Sequence, residues 1–66
     1  MTAGYESIVE RLGAIEEELR DLAYERLTEA ARRPESDEAA AATKEEKRLL
    51  QARRAVAKAM NALSDR

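Results

Sequence analysis

The chain has 66 residues, with no cysteine, no histidine, one proline and two glycines, and 39% of its side chains are charged. A chain of this length forms one domain with a marginal hydrophobic core, and it has no thiols or imidazoles to add a disulfide or an ordinary zinc site. The common catalytic triads are excluded as well, because no histidine is available to activate a nucleophile. We therefore expect no enzymatic activity, no catalytic residues, no cofactor and no metal site.

Helix-forming residues dominate the composition, with alanine the commonest at 14 of 66. Valine and isoleucine together number four, too few for a substantial sheet. The formal net charge is −2, but residues 1–35 carry a net −4 and residues 36–66 a net +2. No apolar run is long enough for a membrane span, and the N-terminal residues do not resemble a signal peptide. The sequence predicts an all-α cytoplasmic protein with no membrane partner.

The first predicted helix covers about residues 3–33. Its apolar residues recur at steps of three and four, the spacing of a helix that packs along a narrow stripe, and they are Tyr5, Ile8, Leu12, Ile15, Leu19 and Leu22. After Leu22 the stripe shifts by one residue and continues through Ala23, Leu27 and Ala30, as a straight helix of 3.6 residues per turn tends to do. The pattern predicts one long helix that packs along its whole length.

The only convincing helix breaker is Pro34, and we place the turn at about residues 33–36. Proline disfavours helical geometry in the residue before it and fits the first turn of a following helix. Either Ser36 or Asp37 can cap the second helix. A later start at Thr43 is the alternative, because Thr43 to Glu46 fits a capping box. We prefer the earlier start, which makes the two helices nearly equal in length.

The second predicted helix covers about residues 36–64 and repeats the pattern with smaller side chains. Its stripe consists of Ala42, Leu49, Ala52, Val56, Ala59 and Leu63, flanked by Leu50 and Met60. A turn at Pro34 folds the two helices into an antiparallel hairpin. In this arrangement Glu16 lies opposite Arg53, and Leu27 and Ala30 lie opposite Ala39 and Ala42.

A lone hairpin leaves much of each helix in contact with water, and the apolar positions are broader than one partner helix can cover. We therefore expect the hairpin to dimerise into a four-helix bundle and to function as a small non-catalytic interaction or assembly module. A different protein as partner is the alternative form of association. The predicted packing or dimer-interface residues are Ile8, Leu12, Ile15, Leu19, Leu22, Leu27, Leu49, Leu50, Val56, Met60 and Leu63.

Two further surface features are candidates for binding. Tyr24 departs from the stripe and is a candidate anchor for a partner protein, because a buried tyrosine contributes both area and a hydrogen bond. The second helix carries a basic face, and its residues are Lys44, Lys47, Arg48, Arg54 and Lys58. This face supports the alternative function, nucleic-acid binding, although Glu45 and Glu46 interrupt the basic run and the chain as a whole is acidic.

Overall fold

The computed structural model describes residues 3–64 and contains two helices, α1 over Ala3–Arg32 and α2 over Asp37–Ser64. The helices pack against each other in a hairpin, which confirms the predicted all-α two-helix fold. The molecule is a thin rod of 53 × 14 × 11 Å with a radius of gyration of 15.2 Å. A compact chain of this length has a radius of gyration of about 11 Å, so the hairpin is far from spherical. Within residues 3–64, neither helix has an apolar stretch that could cross a bilayer.

The turn between the helices is closed by a hydrogen bond from the Ser36 amide to the Arg33 carbonyl, at 3.0 Å. Pro34 occupies the second position of this four-residue turn, where its restricted φ is favourable. The Ser36 hydroxyl accepts a hydrogen bond from the Ala39 amide at 3.0 Å, so Ser36 is the N-cap of α2. Thr43 lies inside α2 and donates to the Ala39 carbonyl at 2.9 Å. The second helix therefore begins at the earlier of the two predicted positions.

Alanines bring the helices together near the turn. Ala23, Ala39 and Ala42 are only 3–5% exposed, and they are the only residues in the described part of the chain that are fully buried. Their small side chains allow two helix backbones to approach closely, since the distance between helix axes depends on the side chains at the contact. The half of the hairpin next to the turn is therefore its most tightly packed part.

The other half of the hairpin is held by larger and more polar side chains. Arg53 donates a hydrogen bond to a Glu16 carboxylate oxygen at 3.3 Å, which confirms that these two residues face each other. The Met60 methyl group lies over Gly13, 3.5 Å from the position that a Cβ atom would occupy there. Nearer the turn, Arg26 makes a second ion pair between the helices, with Glu45 at 3.7 Å.

The face of α1 that meets α2 is rotated relative to the predicted stripe. Leu12 and Leu19 are half-buried between the helices, and the remaining half-buried or buried positions of α1 are Val9, Gly13, Glu16, Ala23, Arg26 and Ala30. Leu27, which the sequence places opposite Ala39 and Ala42, is 50% exposed. With this rotation Ala23 is buried and Ala30 half-buried at the contact, whereas Leu22 and Leu27 are exposed. The rotation also turns half of the predicted stripe away from the hairpin's own contact.

Candidate functional site

A row of large apolar side chains remains exposed along one side of α1. Ile8, Ile15 and Leu22 are 38%, 44% and 41% exposed. They are spaced seven residues apart, so they lie on nearly the same side of the helix. Leu12 and Leu19 lie just inside this row, half-buried against α2. The stripe predicted for α1 is thus divided between the intramolecular contact and an open surface.

Alanines of α2 extend this surface on the same side of the hairpin. Leu22 shares a shallow depression with Glu45 and Leu49, which identifies the side of α2 that adjoins the row. Ala52 and Ala59 follow Glu45 at intervals of seven residues and therefore lie on that side too. We call Ile8, Ile15, Leu22, Ala52 and Ala59 together the apolar face. The two alanines were part of the predicted stripe of α2, but sequence reasoning did not include them among the interface residues.

The remaining predicted interface residues are distributed over three places. The five predicted interface residues of α2 are all half-buried, and they are Leu49, Leu50, Val56, Met60 and Leu63. The Met60 side chain extends towards Gly13, and Gly13 lies on the side of α1 away from the apolar face. Leu27 lies five residues beyond Leu22, about 140° around the helix axis, and so belongs to the opposite side of α1.

The outer side of α2 carries five cationic residues. Lys44, Lys47, Arg48 and Arg54 line one shallow depression together with Leu50 and Gln51. Lys58 lies one turn beyond Arg54, and with these four residues it makes up what we call the basic face. The face extends over the 15 residues from Lys44 to Lys58, or about 21 Å of helix. Within residues 3–64, none of its five cations forms a salt bridge.

The acidic residues between these cations point elsewhere. Glu45 reaches across to Arg26 on α1, and Glu46 is half-buried towards α1. Neither glutamate therefore lies among the five cations on the surface, although the exposed Glu45 borders the basic face beside Arg48. Sequence reasoning overlooked this, although both glutamates are about 100° or more from the centre of the outer face when the helix is drawn with 3.6 residues per turn.

The outer side of α1 carries the opposite charge. Glu10, Glu17 and Asp21 follow the helical repeat away from α2 and are all exposed. Residues 3–32 carry a net charge of −4, whereas residues 37–64 carry +2. The two long edges of the hairpin are therefore oppositely charged.

Tyr24 is 69% exposed, the most exposed large apolar residue of the described part of the chain. Its surroundings are polar, because the depression that it lines also contains Glu25, Arg26 and Arg32. Thr28 donates a hydrogen bond to the Tyr24 carbonyl at 3.0 Å. Its role as an anchor for a partner stays a prediction.

The carboxylates of residues 3–64 form no group of three that could hold a metal ion. The candidate sites of the described surface are the apolar face and the two charged edges.

In comparisons with known proteins, no family model, curated protein or solved structure matches this chain.

Proposed function

We propose that this protein is a small non-catalytic assembly module that self-associates through its apolar face, with a homodimer as the functional unit. A second hairpin would cover Ile8, Ile15 and Leu22 and complete a four-helix bundle. The observation that carries the proposal is this exposed apolar row, which continues the packing stripe of α1 beyond what α2 covers.

The amount of exposed surface supports association. The chain exposes 5497 Å², about 1,300 Å² more than a globular monomer of the same mass, for which the expected area is about 4,200 Å². A stable interface of standard size buries about 800 Å² on each partner. One contact along the length of the rod would bury an area of that order.

The small size of the hydrophobic core also supports self-association. The fully buried residues of the described chain are three alanines, each of which contributes little apolar area. No leucine, isoleucine or valine between residues 4 and 64 is fully buried. Large apolar side chains stabilise a fold in proportion to the area removed from water, so a second copy would add stabilisation that the hairpin lacks.

Two leucines provide a matched test of the proposal. Leu22 lies on the apolar face and Leu27 on the opposite side of α1, and they are 41% and 50% exposed. Glutamine has a helix propensity close to that of leucine, so each replacement changes polarity with little effect on the helix itself. Burying the exposed part of Leu22 contributes about 1 kcal/mol per copy and about 2 kcal/mol per dimer, so Leu22→Gln should weaken the dimer about 30-fold.

Sedimentation equilibrium at several chain concentrations measures this effect. We expect a dimer for the unmodified chain, a rise of about 30-fold in the dissociation constant for Leu22→Gln, and a change below about threefold for Leu27→Gln. A chain that sediments as a folded monomer at all concentrations would contradict the proposal. Equal weakening by both replacements would show that the contact does not use the apolar face.

The uninterrupted basic face favours a second candidate function, the binding of nucleic acid through its phosphates. The five cations of that face form no ion pairs within residues 3–64 and extend over one side of α2. Each phosphate contact releases a counterion, so log K should fall with log[salt] by about 0.9 per contact, to a slope near −4.5 for five contacts.

Fluorescence anisotropy with a labelled DNA duplex at several salt concentrations tests this candidate. The combined replacement Lys47→Gln and Arg54→Gln should reduce the slope by about two units. The combined replacement Arg20→Gln and Arg32→Gln removes the same charge from α1 and should leave the slope unchanged. No binding at low salt, or an equal loss in both variants, would contradict it.

A further inference from the structure

Two symmetric arrangements can bring the apolar faces of two hairpins together. In one, α1 packs on α1 of the second copy, α2 packs on α2, and the two turns lie at opposite ends of the bundle. In the other, α1 packs on α2 of the second copy, and both turns lie at the same end. Both satisfy two-fold symmetry, in which each copy uses the same surface. We propose that the dimer adopts the second arrangement, an inference that rests on the proposed self-association.

The charges of the two helices favour this arrangement. Residues 3–32 carry a net −4 and residues 37–64 a net +2. Packing α1 on α1 brings two acidic helices together, and like charges in an interface are unfavourable. Packing α1 on α2 pairs a helix of net negative charge with a helix of net positive charge at both contacts between the copies.

Three charged residues at the rim of the apolar face agree with this pairing, whereas Arg11, which follows Ile8 by three residues, has no acidic counterpart on α2. Glu18 and Glu25 follow Ile15 and Leu22 by three residues and so border the face on the α1 side, while Arg48 borders it on the α2 side, in the depression that contains Leu22. When both turns lie at one end, residues face each other across the copies in the register that Glu16 and Arg53 show within the hairpin. Arg48 then lies between Glu18 and Glu25 of the second copy, within about one helical turn of each.

Side-chain sizes give the third argument. The α1 part of the apolar face consists of isoleucine and leucine, and the α2 part consists of Ala52 and Ala59. In the proposed arrangement Ile15 faces Ala52 of the second copy and Ile8 faces Ala59, so large side chains oppose small ones at these two positions. In the same register Leu22 faces Glu45, whose carboxylate is paired with Arg26 of its own copy. The other arrangement opposes large with large at one contact and alanine with alanine at the other. In that arrangement the two α1 helices would be farther apart than the two α2 helices, which would leave a gap in the interface. Protein interiors are packed without such voids.

The distance between the two turns distinguishes the arrangements directly. Glu35 is exposed in the turn, and the chain has no cysteine of its own, so Glu35→Cys provides a single site for a nitroxide label. Double electron–electron resonance on the dimer should give a distance of about 20–30 Å, which corresponds to neighbouring helix ends plus the label arms. The rod is 53 Å long, so a distance near that value would overturn the proposal.

Disulfide cross-linking provides a second measurement on the same face. An equimolar mixture of Ile15→Cys and Ala52→Cys chains, oxidised under native conditions, should form mainly mixed disulfide dimers. Leu27 lies on the other side of α1. A mixture of Leu27→Cys and Ala52→Cys chains should therefore give at least fivefold less mixed disulfide than the mixture of Ile15→Cys and Ala52→Cys chains. A dimer whose Ile15→Cys chains cross-link with one another instead, or which gives no mixed product, would overturn the arrangement. A monomer in sedimentation, by contrast, would overturn the proposed function itself.

Discussion

Replacing Gly13 with alanine should stabilise the protein. Gly13 lies well inside α1 and has no positive φ that would require glycine. Alanine is favoured over glycine in a helix interior by about 1 kcal/mol. The new Cβ atom would lie 3.5 Å from the Met60 methyl group, which is an ordinary van der Waals distance to the flexible end of a side chain. We therefore expect Gly13→Ala to raise the free energy of unfolding by about 0.5–1 kcal/mol.

Thermal unfolding followed by far-ultraviolet circular dichroism measures this gain. For a chain of this size, 1 kcal/mol corresponds to a shift of about 4–8 °C in Tm, so we expect a rise of about 2–8 °C. Both proteins must be compared at one chain concentration, because association would itself raise Tm. Gly4→Ala is the control: no neighbouring atom lies within 4 Å of its Cβ position, and the second residue of α1 gains less from helix propensity.

A fall in Tm for Gly13→Ala, together with no fall for Gly4→Ala, would refute this reasoning. It would mean that Met60 cannot move and that the helices approach more closely at Gly13 than the 3.5 Å distance implies. In that case Gly13→Ala introduced into a Met60→Ala background should be more stable than the Met60→Ala single variant, by the amount that the helix propensity of alanine predicts.

Three further changes test the packing and the turn. Ser36→Ala removes the N-cap of α2 and should lower the free energy of unfolding by about 1 kcal/mol in urea titrations, whereas Ser36→Gly should lower it by only a few tenths. Ala42→Leu places a side chain that is too large in the buried contact near the turn and should lower the free energy of unfolding by about 1–3 kcal/mol, which thermal unfolding would register as a lower Tm. Ala41→Leu, at an exposed position, should change the Tm little. Glu16→Gln weakens an ion pair between the helices and should cost about 0.2–1 kcal/mol, less at high salt, with the exposed Glu17→Gln as the neutral comparison.

The hairpin was predictable because its turn depends on local chemistry. Pro34 breaks the helix through its own ring, and Ser36 caps the next helix through its own hydroxyl group. The spacing of apolar residues likewise indicates which broad side of each helix avoids water. These features require no knowledge of the partner helix.

The rotation of α1 about its axis was not predictable in the same way. A turn of about 100° separates Leu22 from Ala23, and both belong to the apolar side of the helix. The choice between them depends on the fit with the surface of α2, whose residues are far away in sequence. That fit leaves Leu22 on the surface and places Arg26 at the contact. The exposed apolar face is therefore a consequence of three-dimensional packing that hydrophobic periodicity alone does not contain.

The buried alanines next to the turn also imply an order of folding. The turn joins residues only three apart, the Arg26–Glu45 pair closes a loop of intermediate size, and the Glu16–Arg53 pair joins residues 37 apart. Closing a loop costs more entropy as the loop lengthens, so contacts form most readily in that sequence, from the turn outwards. The contacts between the helices should form from the turn outwards and open first at the ends remote from the turn. Amide hydrogen exchange should therefore be slowest around Ala23 and Ala42 and fastest towards those remote ends.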